Sequence, residues 1–250
     1  MAAAVEIQGL SCRFGGVKAL DAVDIRLSPG EVLGLIGPNG SGKTSLFNLL
    51  TGHHNPEAGA ILLDGLDLAG QSPSQIARFG IARTFQNLRL LRRLSVYENV
   101  RAARHACAPL RDAFWLSPAA RRQERDSLMN LLDIFGLSEK AQKTPAELTL
   151  VQMRHLEIAR LLAADPKLVL LDEPAAGMTS AETQAITEVI ATHVLPGRSA
   201  IVIEHKMQLV AALCPRIAVL NAGRKIADGP TGQVLADSAV RQSYFGAKPC

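Results

Sequence analysis

The chain has 250 residues, enough for a substantial core, and its 48% hydrophobic and 20% charged residues are ordinary for a globular protein. Lys and Arg number 27 against 23 Asp and Glu, a net charge of +4 that suits a nucleotide binder or a protein beside anionic lipid. Aromatics at 4% argue against a surface that stacks on bases, so no nucleic-acid partner is expected.

In chain order, Val5–Leu10 reads as a strand, followed by a turn at Gly15-Gly16 and a second strand over Ala22–Leu27. A turn at Ser28-Pro29-Gly30 leads into Glu31–Ile36, a buried strand. Next comes Gly37-Pro38-Asn39-Gly40-Ser41-Gly42-Lys43-Thr44, which fits G-x-x-x-x-G-K-[ST], and then a helix from about Thr44 to Leu50. Ile61–Leu63 reads as a strand with a turn at Asp64-Gly65. Between about 87 and 165 the texture becomes helical and arginine-rich, with the run Arg121–Asp126 and an amphipathic stretch over Leu128–Phe135. Aliphatic blocks return at Leu168–Leu171, Ala200–Ile203 and Ile217–Leu220, and Thr179-x-x-Glu182 has the form of a capping box. None of the aliphatic runs is long enough to cross a bilayer, so a membrane role would be that of a peripheral subunit. Glu6 interrupts the Ala2–Ala4 run, and no signal peptide is expected. Cys12, Cys107, Cys214 and Cys250 have neither a C-x-x-C pair nor metal-ligand spacing, and read as free thiols of a reducing compartment.

The glycine-rich octapeptide is suited to an anion. Glycines let the backbone wrap closely with its N–H groups turned inward, and the helix behind adds the positive end of its dipole. Lys43 supplies a full charge for β- and γ-phosphates, and the Thr44 hydroxyl can ligate Mg2+. Leu168–Leu171 ends in Asp172-Glu173: the first carboxylate is placed to hold Mg2+, the second to polarise an attacking water as general base. Ile201–Ile203 ends in Glu204-His205, where the imidazole could reach a γ-phosphate and the base. Gln86, in Arg83-Thr84-Phe85-Gln86-Asn87, offers a neutral amide to Mg2+ and the water. A lone histidine or glutamine is more often a surface residue, so these two gain weight only from the company of the others.

Together the pieces resemble an ABC (ATP-binding cassette) ATPase over nearly the whole chain. Phe14 falls where that family stacks an aromatic on adenine. Gly37–Thr44 matches its Walker A motif, Gln86 its Q-loop, Asp172-Glu173 the end of Walker B, and His205 its H-loop. The resemblance implies an α/β fold, a P-loop NTPase core with an antiparallel β subdomain and an inserted helical subdomain. The whole of 1–250 would be one ABC ATPase domain: core plus β subdomain at about 1–86 and 166–250, helical subdomain at about 87–165. It also implies ATP and Mg2+ as cofactors, and a place on the cytoplasmic face of the cell's inner membrane. Phe47-Asn48-x-x-Thr51-Gly52, Arg83-Thr84-Phe85-Gln86, Leu156–Arg160, Asp172-Glu173-Pro174-Ala175-Ala176-Gly177 and Ile203-Glu204-His205 look like the branched-chain amino acid importers, and urea and short-amide importers use closely similar ATPases. The implied partners are integral-membrane permease subunits, a second ABC ATPase and, indirectly, an external solute-binding protein. In such importers a groove near the Q-loop receives a helix of the permease, and Arg89–Asn99 would border it.

Two motifs depart from the family. Its signature loop, LSGGQ or in the branched-chain subfamily something near LAYGQ, aligns with Leu148-Thr149-Leu150-Val151-Gln152, so Val151 replaces the second glycine while Thr149 can still supply a hydroxyl and Gln152 is kept. The bulk of a β-branched residue, and its aversion to positive φ, predict a weakened signature. Because each composite site joins one chain's Walker motifs to the other's signature, this favours a heterodimer over a homodimer. The D-loop reads Ala176-Gly177-Met178-Thr179, with Thr179 free to cap the next helix. The competing expectations are a catalytically weak cassette that binds ATP and regulates a partner, and a soluble ABC ATPase without a transport role.

Overall fold

The computed structural model describes residues 3–107, 117–238 and 240. Two sheets organise it. β1 (Val5–Phe14), β2 (Val17–Leu27), β4 (Ala58–Leu63) and β5 (Leu66–Asp67) form an antiparallel sheet in the order β2-β1-β4-β5. β3 (Val32–Ile36), β6 (Ile81–Arg83), β7 (Leu168–Asp172), β8 (Ser199–Ile203), β9 (Arg216–Asn221) and β10 (Arg224–Pro230) form the second, in the order β10-β9-β3-β8-β7-β6. This second sheet is parallel except for β10, which returns antiparallel on β9.

The aliphatic blocks run unbroken because both faces of the six-stranded sheet are covered. Alternate residues sort into two cores. Leu33, Leu35, Leu168, Leu170, Ile201, Ile203, Ala218 and Leu220 face the antiparallel sheet and α1 (Lys43–Leu50), while Val169, Leu171, Ala200, Val202, Ile217 and Val219 face the opposite way. That second core continues into the inserted helices α3 (Val96–Cys107), α4 (Pro118–Ile134) and α5 (Leu150–Ala163), through Val96, Val100, Leu128, Leu132, Leu156 and Ala159. The helical lobe and the sheet thus share one apolar cluster. The Leu128–Phe135 stretch turns Leu128, Leu132 and Phe135 inward, as its pattern predicts.

Several elements exceed the expectations. β2 begins at Val17, five residues before the predicted strand, with Ala22 at φ 49 where the β1–β2 register shifts. α2 (Pro73–Arg78) is a single capped segment, with Ser72 and Gln75 bonded reciprocally. β6 has only three residues and no periodicity to reveal it. α6 (Ser180–Val189) starts at the Thr179 cap, whose hydroxyl accepts from the Glu182 N–H at 3.3 Å while the Glu182 carboxylate accepts the Thr179 N–H at 2.8 Å. α7 (Met207–Leu213) and α8 (Thr231–Ala236) follow. Cys12 and Cys214 are free and buried, and burial raises both thiols, Cys214 to about 12, which disfavours the reactive thiolate. Cys250 and the side chain of Cys107 lie outside the described residues.

Candidate functional site

The functional side chains gather at the carboxyl ends of the parallel strands, where β3, β7 and β8 lie side by side. β3 runs into the phosphate loop. At Gly37 a β-carbon would stand 2.1 Å from the Leu220 carbonyl oxygen of β9, and at Gly42, with φ 105, 2.5 Å from the Ala19 oxygen of β2. The loop is therefore clamped between two elements that leave room for backbone alone. Gly42 is also the N-cap of α1 and supplies no side-chain acceptor, so the first turn presents its N–H groups outward to an anion. Pro38, Asn39 and Gly40 form the crest, with the Ser41 N–H closing on the Pro38 oxygen at 3.2 Å.

Lys43 is buried, and its ammonium donates to the Gly37 and Pro38 carbonyl oxygens at 2.7 and 2.9 Å. Burial pulls its pKa below the ordinary lysine value, while Glu173 and Asp172 nearby resist that shift. Phosphate loop and Walker B acids thus share one electrostatic environment. Thr44, next along, is exposed.

β7 ends on Asp172, 5% exposed, and the chain turns sharply at Glu173, which sits at φ 48. That is a costly conformation for a glutamate, of the kind that gathers at functional sites. The turn is held by a hydrogen bond from the Glu173 N–H to the Ile203 oxygen at 2.9 Å. It aims the side chain between two of the other predicted residues. Gln86 Nε2 donates to Glu173 Oε2 at 3.2 Å, and His205 Nε2 lies 3.2 Å from Glu173 Oε1. Residues 86, 173 and 205, far apart in sequence, converge on one carboxylate.

The other predicted residues stand apart from this trio. Phe14 ends β1, 40% exposed, its ring edge-on to His54 at 4.8 Å. Thr149 and Gln152 form a capping box at the start of α5: the Gln152 N–H donates to Thr149 Oγ1 at 3.3 Å and the Thr149 N–H to Gln152 Oε1 at 3.1 Å. Val151 lies inside the first turn of α5 and is not among the residues with positive φ. The expectation that this position demands positive φ is corrected: a helical first turn accepts any L-residue backbone, and only the bulk of the side chain remains as an obstacle.

Four residues at the site had no assigned role in the sequence. Arg83 donates from Nη2 to Asp172 Oδ2 and from Nη1 to Asn48 Oδ1, each at 2.7 Å. Glu204, 3% exposed, accepts the N–H groups of Ala175, His205 and Lys206, and so ties the H-loop to the turn after Walker B. Arg154 and Glu157 of α5 pair at 2.7 Å and grip the Phe85 backbone, Arg154 donating to its oxygen and Glu157 accepting its N–H, both at 3.2 Å. The available signal was charge inside an apolar pattern, since Arg and Glu are seldom buried without a partner. Naming the partner needed the fold. Beside Gln86 a cleft of about 750 Å3 opens between Leu88, Leu90 and Arg92 on one side and Pro145, Leu150 and Met153 on the other.

The donor set fits a magnesium nucleotide. Asp172, the Thr44 hydroxyl and the Gln86 amide are hard oxygen donors, and magnesium is held by one or two carboxylates together with phosphates and water. Among the described residues no three His, Cys, Asp or Glu side chains gather into an all-protein metal cage. The backbone-only clearance at Gly37 and Gly42 suits close approach of phosphate oxygens.

Comparison with known proteins speaks to the family and the fold. The family described as ABC transporter matches residues 20–176. The high-affinity branched-chain amino acid transport ATP-binding protein BraF of Pseudomonas aeruginosa is 38% identical over 248 residues, covering 97% of each chain. LivG of Escherichia coli K12, of the same description, is 39% identical over 250 residues, again covering 97% of each. Among solved structures, the ADP conformation of MJ1267, an ATP-binding cassette of an ABC transporter, superposes with a TM-score of 0.84 at 29% identity, covering 98% of this chain and 100% of that one. Fold, motif order and similarity along nearly the whole length place this chain in the ABC transporter family, as one of its ATP-binding cassettes.

Proposed function

We propose that this ABC ATPase is the ATP-hydrolysing subunit of an importer for branched-chain amino acids, seated on the cytoplasmic face of the inner membrane. The observation that carries the hydrolytic part is the convergence of Gln86 and His205 on the strained Glu173, beside the phosphate loop. In this reading Glu173 takes the proton of the attacking water, and His205 and Gln86 hold its carboxylate in line. Lys43 leaves the loop carbonyls for the β- and γ-phosphates, while Thr44, Gln86 and Asp172 would hold Mg2+. The metal, when bound, neutralises charge developing on the phosphates. Phe14 offers its exposed ring to the adenine, a role supported only by its position at the end of β1.

The transport part rests on the likeness to BraF and LivG, and on the lobe. Residues 87–165 carry thirteen Lys and Arg against nine Asp and Glu, so the chain's whole excess of +4 lies there. The cleft beside Gln86, with its apolar rim of Leu88, Leu90, Leu150 and Met153, suits the amphipathic coupling helix of a permease. No helix among the described residues is long and apolar enough to cross a membrane, so membrane attachment in this reading comes from that partner. A second, different ATPase would complete the composite sites by lending its own signature loop to this chain's Walker motifs. An external binding protein and the permease would choose the cargo, and urea or short amides remain the competing solutes. Val151 supports a second reading, a cassette that binds ATP and regulates a partner with little turnover of its own.

Steady-state ATP hydrolysis by the purified chain beside Glu173→Gln tests the first part. A clear rate that the variant abolishes, with ATP binding kept, supports a working ATPase. ATP binding without a rate above the variant, even with the partner ATPase present, supports the regulatory reading. Expression with neighbouring permease subunits tests the second part, and failure to co-purify with any membrane protein would sink it.

A further inference from the structure

Asp172 does not stand alone at the end of β7. Its Oδ2 accepts from Arg83 Nη2 at 2.7 Å, and its backbone N–H donates to Thr84 Oγ1 at 2.9 Å. The other arm of the same guanidinium, Nη1, donates to Asn48 Oδ1 on α1, the helix that follows the phosphate loop. The guanidinium carbon lies 5.2 Å from the Phe47 ring centre and 5.1 Å from that of Phe85, and the side chain is 5% exposed. Such a fork has one position and one orientation. It joins three parts of the site: the Walker B carboxylate, the phosphate-loop helix, and the Q-loop, whose Phe85 backbone is gripped by Arg154 and Glu157.

A buried carboxylate next to a metal site needs neutralising, and any cation could do that. Arg83 does more, because its two arms fix the carboxylate against α1. With Oδ2 held, Oδ1 is the oxygen left for a metal-bound water, and its place is set relative to Thr44 on the same helix as Asn48. We propose that Arg83 is a positioning residue for the magnesium ion, acting through Asp172 and anchored by Asn48. The inference rests on the nucleotide-binding reading above and adds a part to it.

The test separates positioning from neutralisation. A fluorescent, non-hydrolysable ATP analogue is bound to the full-length purified chain in EDTA and then with magnesium titrated in, for wild type, Arg83→Lys, Arg83→Met and Asn48→Ala. Both Arg83 variants are expected to need about tenfold more magnesium to tighten the analogue, and Asn48→Ala about threefold more, while binding in EDTA changes less than about twofold. Lysine keeps the charge but lacks the rigid planar fork that fixes Asp172 against Asn48, so wild-type magnesium dependence in Arg83→Lys would reduce Arg83 to a neutralising charge and overturn the proposal. An unchanged Arg83→Met or Asn48→Ala overturns it as well. Thermal melts of each variant accompany the titrations, and if Arg83→Met does not fold, the Lys and Asn48→Ala variants decide the matter. Wild type that fails to bind the analogue under either condition overturns the nucleotide reading itself, and this inference with it.

Discussion

At Gly37, a β-carbon would lie 2.1 Å from the Leu220 oxygen; at position 151, valine sits in the first turn of α5 with its side chain packed on the larger apolar cluster. Both positions belong to short segments that feed a helix N-terminus, and both align with glycines in the family. Yet one glycine is required by this chain's own backbone, and the other position is not. The phosphate loop is squeezed between β9 and β2, so Gly37 and Gly42 are needed whether or not nucleotide is bound. The signature segment opens outward from the lobe, with Leu150 beside it 45% exposed, and the chain's own backbone accepts valine there. The same residue type thus reports intramolecular packing in one place and, in the proposed dimer, an intermolecular approach in the other.

Breaking the first half of that comparison gives the largest effects. Glu173→Gln removes the proposed base and leaves the loop intact, so ATP turnover is expected to fall about 1000-fold with little change in ATP binding; a fall of only a few fold would mean that another group takes the proton. Gly37→Ala drives a methyl into the Leu220 carbonyl and is expected to cost about 3 kcal/mol of stability along with nucleotide binding. Urea denaturation measures it, and a variant as stable as wild type would show that the loop yields more easily than its clearance implies.

A smaller effect lies on the edge of the sheet away from the signature. Arg216 grips Asp228 through two nitrogens at 2.7 and 3.0 Å and Glu31 at 2.8 Å, joining β9 and β10 to the entry of β3. Burial pushes the Asp228 and Glu31 carboxyls up, but hydrogen bonds from Arg216, aided by Lys225 and the Ser28 N–H respectively, bring both below their usual values. Since the folded values are depressed, this stabilisation is complete above about pH 5, where the unfolded carboxyls are ionised, and fades as pH falls through the folded values. Arg216→Met should cost about 2 kcal/mol at pH 7 and much less in acid. An equal loss at both pH values would assign the effect to packing.

The signature half is sharpened by Val151→Gly. Removing the side chain should raise turnover of the chain acting alone about tenfold, equivalent to about 1.4 kcal/mol in the barrier, while glycine in the first turn lowers stability by about 1 kcal/mol. Equal rates in variant and wild type would make a self-sufficient homodimer the better description.

The phosphate loop, the paired acids and the buried strands were legible because each depends on neighbours in sequence. A glycine pattern, an apolar run and a capping box are local, and Thr179 caps α6 just as Thr179-x-x-Glu182 predicts. β6 was not legible: three residues carry no period, and Ile81–Arg83 become a strand only by pairing with β7. Arg83 could be recognised as part of a subfamily string, but its partners are 35 and 89 positions away. The expected penalty from valine's aversion to positive φ failed for the same kind of reason. It was carried over from glycine in the family's motif, whereas the capping box between Thr149 and Gln152 starts the helix early enough to include position 151.

By itself, then, the sequence determined the family, the chemistry available and the two-faced burial of the central strands, because residue type and short spacing carry that information. Only the tertiary structure decided which groups meet. Strand order brings Gln86 and His205 to Glu173 and sets Arg83 between Asp172 and Asn48, and strand order is fixed by long-range packing that no local pattern encodes.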